Sequence, residues 1–575
     1  MKNIKIFCSL LLLIAIGSCQ KLDIELETDL SREQIEQAFT NLQNLVNGIY
    51  ADLPEGFALI GGEAMMSSTT DESEHTLETN PVQLYNQGAW NAANNPAQLW
   101  DLSFRAIRKV NIFLEIADPA KVNLDAFKFD LTTFNQRIAE INRWRFEARF
   151  LRAFFYMELV KRYGGVPILT RSLSEQDVAG VQRNSLEQCI KFISDECDSA
   201  AAVLPLIHTT GELGRATRGA ALALKARVLL YAASDLFNTP SWATGYQNIP
   251  LISLPAGNRA DRWKAAADAA KAVIDLAGTG YAIHNNYRTL FTTFNNAEII
   301  FTRRNSASNG FEINNFPIGF DRGESGTTPT QDLVDAYEIR VNATTAIPFD
   351  WSNPLHSANP YATAGPTTRD PRLGLSVVFN NANFSAVSGQ TRAVQIWEGG
   401  RDGKPIPNAT KTGYYLRKYV NESVNLVLNT TAVHSWIYLR LAEVFLNYAE
   451  ALNEYSPGNP DIKIFVDRVR ARPGVAMPGI PAGTQAEVRQ RIRNERRIEF
   501  AFEDQRAWDV RRWMIAPQTL GTPIRGVNIV TTAPNVFTYT PQVVENRVFD
   551  PKMYLFPISQ VELSVAPGLV QNPLW

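Results

Sequence analysis

Residues 436 to 454 read Trp436-Ile-Tyr-Leu-Arg-Leu-Ala-Glu-Val-Phe-Leu-Asn-Tyr-Ala-Glu-Ala-Leu-Asn-Glu454. At helical spacing Leu439, Ala442, Leu446 and Ala449 make one apolar stripe, and Ile437, Leu441, Val444, Tyr448 and Ala451 make a second. A helix that is apolar on two faces must lie between neighbours, because both faces have to be withdrawn from water. The stretch is therefore expected as a single helix, Trp436–Glu454, inside a stack of helices.

Working outward, the same period marks helices near Glu33–Tyr50, Ala97–Ile116, Phe134–Tyr163, Ser185–Leu204, Thr217–Leu236, Arg262–Leu276, Ile462–Ala471 and Ala486–Phe502. Ala220, Ala221, Ala223, Ala226, Ala232 and Ala233 are small enough to let neighbouring backbones approach closely. The expected fold is mainly α, a tetratricopeptide-like scaffold of helix pairs. The repeat is degenerate, because the pairs are irregularly spaced and no strict period of about 34 residues is visible. Between about Tyr287 and Ala432 the periodicity lapses into Gly, Pro, Asn, Thr and Ser with scattered aromatics. This reads as a loop-rich insertion, 287–432, with short strands such as Ala393–Trp397. Long irregular segments on a rigid frame commonly carry recognition. Gly521 to Phe549 is similar in character and has room for a small hairpin. The division expected is a helical region 31–285 and a second region 286–575 that carries the insertion.

The chain opens with Met1, Lys2 and Lys5, an apolar run Leu10–Ile16, then Gly17, Ser18 and Cys19. The run is shorter than the roughly 18 apolar residues of a membrane span, and charged start, apolar centre and small-residue end are the layout of a secretory signal. Ile16-Gly17-Ser18-Cys19 reads as a lipobox, so 1–18 is expected to be removed, Cys19 lipidated, and 19–30 to serve as a tether. Export also fits the remaining cysteines. Cys189 and Cys197 fall on one expected helix about 12 Å apart, too far for a disulfide, and read as buried thiols.

With 575 residues, 45% of them hydrophobic, the chain can bury a large core in one large or two intimately packed domains. A formal charge of −2 gives no basic field for nucleic acid. No HExxH, GxSxG, Walker A or GxGxxG pattern occurs, and Gly399-Gly-Arg-Asp-Gly-Lys404 misses the phosphate-loop spacing. His75, His208, His284, His356 and His434 lack metal-ligand spacing. Asp71-Glu72-Ser73-Glu74-His75 offers cation ligands, with a solvated loop as the plainer reading. A glycosidase needs only two carboxylates close in space, and nothing in the sequence points to such a pair. No cofactor is implied.

Several segments, taken in order, carry a resemblance. They are Arg145-Phe-Glu-Ala-Arg-Phe-Leu-Arg-Ala-Phe-Phe-Tyr156 with Leu159 to Ile168, the alanine-rich Thr217–Phe237, Pro329 to Tyr337, Asp370-Pro-Arg-Leu373, Thr412 to Tyr419, Tyr438 to Ala451, Arg493 to Phe502, Tyr554 to Ser559, and Gln571-Asn-Pro573. Together with the lipobox they resemble the SusD/RagB family of Bacteroidetes outer-membrane lipoproteins. In their own right these segments read as scaffold. Ala148, Leu151, Phe155 and Leu159 form a core stripe that Gly164-Gly165 terminates, and the alternating charges of Arg493–Glu499 read as inter-helix ion pairs. The resemblance implies a non-catalytic, lipid-anchored protein of the outer membrane, exposed at the cell surface, which captures glycan for a SusC-like TonB-dependent transporter. The alternatives are an oligopeptide-capturing subunit of the same kind of complex and a surface glycan hydrolase.

Sugar rings have apolar faces edged by hydroxyls, so a glycan site needs aromatic platforms beside amides and charged groups. Trp100, Trp144, Trp263, Trp436, Trp508 and Trp513 fall in or beside expected helices and read as packing residues. Trp575 belongs to the chain end, which leaves Trp90, Trp242, Trp351 and Trp397 in loops. In the family the glycan surface draws on an N-terminal loop and the middle region, here about 81–96 and 306–407. The expected ligand contacts are Trp90 with Asn91, then Trp351, Tyr361 and Trp397. The competing reading of Trp90 is a cap on the following helix.

Overall fold

The computed structural model describes residues 39–387 and 390–575. Its frame is helical: α1 Phe39–Ala51, α2 Trp100–Ile116, α3 Leu131–Tyr163, α4 Leu186–Val203, α5 Arg218–Ala233, α6 Arg259–Ile274, the short α7 Gln331–Ala336, α8 Leu441–Tyr455, α9 Pro460–Arg470, α10 Gln485–Glu499 and α11 Gln505–Arg512. Side chains cap most of the starts, as Asp130 does for α3, Thr217 for α5 and Asn258 for α6. Ser185 and Thr484 open α4 and α10 with reciprocal capping boxes. At the far end of α3, Gly164 takes φ 75°, and a Cβ there would lie 2.4 Å from the Leu251 carbonyl oxygen, so only glycine fits the turn.

Successive helices pack side by side from α1 through α6, and α6 then packs directly on α8, which also contacts α9 and α10. The stack thus continues across the whole of 275–440, which leaves the frame and returns to it. All six alanines named in α5 are buried, and α5 is in contact with α4, α6 and α8. Cys189 and Cys197 are buried free thiols on α4. Among the described residues, no helix is long and apolar enough to cross a membrane.

The strands form six antiparallel two-stranded ribbons among the described residues: β1 Ser73–His75 with β3 Thr327–Pro329, β2 Ile299–Arg304 with β10 Ser435–Arg440, β4 Ile339–Arg340 with β5 Ala346–Ile347, β6 Val377–Val378 with β9 Tyr415–Leu416, β7 Asn383–Val387 with β8 Gln390–Ala393, and β11 Ile524–Ala533 with β12 Val536–Glu545. Two expectations are corrected here. The stretch Trp436–Glu454 is not one helix, because its first residues belong to β10 and the helix begins only at Leu441. All six β10 residues are buried, so the strand is apolar on both faces and leaves no alternation to read. The strand expected at Ala393–Trp397 instead ends at Ala393.

The acidic run 71–75 is neither a solvated loop nor a cation site. It is buried, partly as β1, and arginines from the C-terminal half pair with Asp71 and Glu74. Asp71 meets Arg497 at 2.7 Å and Arg506 at 2.8 Å, while Glu74 pairs with Arg547. Burial alone would push the Asp71 carboxyl up, but the two arginines outweigh it and hold it well below the usual range. Among the described residues, no group of three or more His, Cys, Asp or Glu is placed to hold a metal.

The charges of α10 enter a larger buried network. Arg372, Arg440, Arg470, Arg472 and Lys418 interlock with Asp370, Glu298, Glu338, Glu495, Glu499 and Glu503. Glu298, Glu338, Asp370, Arg372, Lys418 and Arg440 come from the excursion and its closing strand, and the others from the frame. The network therefore bolts the excursion to the stack.

Candidate functional site

The long hairpin β11–β12 stands over the loop-rich excursion. Arg525 anchors its base, the backbone N–H and Nε bonding to Asp332 on α7 at 2.9 and 2.7 Å and Nη2 to Asp335 at 2.9 Å. Val527 donates to the Thr412 carbonyl and Glu398 to that of Ile529, so the hairpin is also stitched to two loops. Asn535 turns the tip with φ 61°, a left-handed conformation that asparagine tolerates. Two residues apart on β12, Phe537 and Tyr539 share one face, and both are half-buried.

That face closes a cleft of about 880 Å³. Its aromatic lining consists of Tyr361, Phe379, Phe537 and Tyr539, interspersed with Asn359, Asn380, Asn381, Asn383, Thr363 and Thr368. The rings form a continuous string. Phe379 stacks on Tyr361 at 4.7 Å, Tyr361 stands edge-on to Tyr539 at 5.3 Å, Tyr539 lies 6.4 Å from Phe537, and Phe537 lies 5.0 Å from Trp397. Asn380 is buried, its Oδ1 accepting from the Ile396 N–H at 3.1 Å. Asn359, Asn381 and Asn383 are exposed. Among the described residues no hydrogen bond engages their side-chain amides, which leaves donors and acceptors free beside the rings.

A hydrogen-bond chain stiffens the wall from behind. The Tyr361 and Tyr414 hydroxyls lie 2.8 Å apart, Tyr414 donates to Gln331 at 2.7 Å, and Gln331 donates to Asp335 at 2.7 Å. The Trp351 indole N–H donates to the same Asp335 oxygen at 2.9 Å. Burial pushes the Tyr361 and Tyr414 hydroxyls far above their ordinary range, so both are neutral hydrogen-bonding groups.

The structure brings the middle-region residues together but changes their parts. Tyr361 does line the cleft, yet it is buried, one face covered by Phe379 and its hydroxyl committed to Tyr414. Half-buried Trp397 backs Phe537, and half-buried Trp351 braces Asp335. The Trp90 expectation is corrected. Its ring is 1% exposed, stacked on Tyr85 at 4.6 Å and enclosed by Phe556 and Trp575, so no face is open to a ligand. Asn91 is exposed, but its Oδ1 accepts from the N–H groups of Ala93 and Asn94 in a tight turn, and neither Trp90 nor Asn91 lines the cleft. Cys19 lies outside the described residues. Trp100, Trp144, Trp263, Trp436, Trp508 and Trp513 are all buried packing residues.

Phe379, Phe537, Tyr539 and the free amides were not singled out from the sequence. Phe537 and Tyr539 did leave a signal, since Val-Phe-Thr-Tyr-Thr alternates at strand period within the expected hairpin.

These features describe a tetratricopeptide-like helical frame that bears one aromatic, amide-lined cleft on its long excursion. A family model described as "SusD family" matches residues 297–575, and one described as "Starch-binding associating with outer membrane" matches 21–230. The chain belongs to the SusD/RagB family. It is 25% identical to a SusD-like protein of Formosa agariphila, with 100% of this chain and 99% of the relative covered. A crystal structure of a SusD-like protein from Bacteroides fragilis superposes with a TM-score of 0.75 at 26% identity, covering 94% of this chain and 98% of the other. A second from the same species, described as a SusD-like carbohydrate binding protein, gives 0.72 at 26% identity, covering 93% and 100%.

Proposed function

We propose that this protein is a non-catalytic glycan-capturing lipoprotein of the outer membrane, anchored through Cys19 and delivering oligo- or polysaccharide to a SusC-like TonB-dependent transporter. The observation that carries the reading is the cleft, where Phe379, Phe537 and Tyr539 stand beside the unengaged amides of Asn359, Asn381 and Asn383. Half-exposed rings cover the apolar faces of sugars, and amides match their hydroxyls. Hydrolysis would need two carboxyl groups across the scissile bond. The cleft lining supplies one, Asp370, which is fully buried and held by Arg372 at 2.8 Å. Support for the setting comes from the lipobox Ile16–Cys19, from the description of the family model over 21–230, and from the carbohydrate-binding relative.

The test is calorimetric titration of the mature chain, from Gln20 onward, with plant, host and microbial polysaccharides and with an oligopeptide pool. Saturable binding to one glycan class that weakens in Phe537→Ala is the expected result. Heat from peptides alone, or release of sugar products by the pure protein, would overturn the reading. Recovery of a large β-barrel partner from gently solubilised envelope tests the transporter.

A further inference from the structure

The charges along the cleft are one-sided. Among the described residues, three arginines line it, Arg340, Arg369 and Arg417, against the single acidic residue Asp370. That carboxylate is already taken by Arg372, and Arg417 is taken by Glu422 at 2.7 Å. For Arg340 and Arg369, no carboxylate among the described residues lies within ion-pairing distance. The excess is local, because the chain as a whole carries a formal charge of −2.

The two unpaired arginines sit differently. Arg369 is 3% exposed, its guanidinium 4.0 Å over the Phe349 ring and its Nη atoms donating to the carbonyls of Pro360, Val334 and Tyr337 at 2.6, 2.5 and 2.9 Å. Its Nε is buried without a hydrogen-bond partner. Burial pulls its pKa down to about 10, with Asp335 only partly compensating. Arg340 is half-exposed and makes one long hydrogen bond, 3.3 Å from Nη1 to the Ala476 carbonyl, which leaves most of its donors open. A buried cation without a counter-ion is unfavourable unless an anion comes to it, and a planar guanidinium fork matches carboxylate and sulfate oxygens.

We infer that the cleft takes an acidic glycan, with Arg340 contacting a carboxylate or sulfate group of the sugar and Arg369 supplying positive potential from the wall. The inference rests on the cleft being the glycan site proposed above. Phe379 and Phe537 then hold the ring faces, Asn381 and Asn383 the hydroxyls, and the arginines select for charge. A neutral oligosaccharide of the same backbone would bring neither guanidinium group an anion.

The test is titration of the mature chain with matched probes: oligogalacturonate and its carboxyl-reduced form, and a sulfated galactan oligosaccharide and its desulfated form. Wild type, Arg340→Gln and Phe537→Ala are compared at low and high salt. At least one acidic probe should bind about tenfold or more tightly than its neutral counterpart. Arg340→Gln should remove most of that preference without altering thermal stability, and salt should weaken it. The uronate and sulfate arms show which acid group is read. A probe that needs Phe537 but binds equally well in its neutral form, or is indifferent to Arg340→Gln, overturns the inference and leaves the proposed function standing. If Phe537→Ala weakens no probe, both fall.

Discussion

Replacing Glu499 by glutamine keeps the shape of the buried network and removes one charge from its centre. Its carboxylate is fully buried and accepts from Arg472 at 2.7 Å, Arg440 at 2.8 Å and Arg372 at 2.9 Å. Burial opposes its ionisation, but the three arginines prevail and hold the carboxyl well below the usual range. Counting charges alone, the change should help, because the network has six carboxylates for five cations. Geometry argues otherwise, since Glu499 is the carboxylate that touches three arginines. At roughly 1.5–3 kcal/mol per charge-assisted hydrogen bond the nominal loss is large. Each arginine, however, keeps another carboxylate: Glu298 and Glu503 for Arg440, Glu298 for Arg472, Asp370 and Glu495 for Arg372. The net loss should therefore fall near the ~3–5 kcal/mol of a broken buried pair. Glu338→Gln, at the network's edge and paired only with Arg470, should cost about 1 kcal/mol. Urea unfolding followed by tryptophan fluorescence and far-UV circular dichroism measures both, and coincidence of the two probes tests whether the transition is two-state. Equal effects in the two variants, or a Glu499→Gln loss below ~1 kcal/mol, would refute the argument that contact geometry and not charge count governs this core.

Phe537→Ala should weaken glycan binding about tenfold, as expected for loss of an aromatic platform, with an unchanged circular dichroism spectrum. Trp90→Ala should do the opposite, lowering stability by ~3–5 kcal/mol through the cavity it leaves, while the folded fraction binds normally in titration. Burial, reinforced by the Asp71 charge, pushes the Glu72 carboxyl up to about 8. The folded state then keeps a proton that the unfolded chain releases above an ordinary glutamate pKa of about 4.3, so this group costs stability as pH rises from there towards 8. Glu72→Gln should match wild type near pH ~4 and gain on it steadily up to pH ~8, read as the urea midpoint across that range.

The frame was legible because its helices repeat at 3.6 residues over long spans and their ends carry chemical markers. Ser185 with Gln188, Thr217, and Gly164-Gly165 all mark boundaries where the structure has them. The exception, β10, is buried at every residue, and a short buried strand leading into a buried helix has no period of its own to announce it. Tyr361, Trp351 and Trp397 fall in one neighbourhood, but the sequence does not show which of them keeps an open face. Whether a ring is platform or buttress depends on what covers it, and Phe379 and Phe537 come from other parts of the chain. Trp90 shows the same limit, since the residues that bury it, Phe556 and Trp575, come from the far end of the sequence.

The excursion leaves the helix stack at β2 and returns at β10, and those two strands are hydrogen-bonded to each other. Its ends are thus held together before any of its loops are specified, which makes the segment a natural unit of exchange between relatives. A chimaera joined just before β2 and just after β10 would carry a foreign binding face on this frame with little cost in chain closure. The charges set the terms of such a graft. Arg372 and Lys418 on the excursion meet Glu495, Glu499 and Glu503 on the frame, so a transplanted segment that lacks those two cations would leave the buried carboxylates short of positive charge. Compatibility between donor and host would be decided at these buried contacts, beneath the cleft and not on its open face.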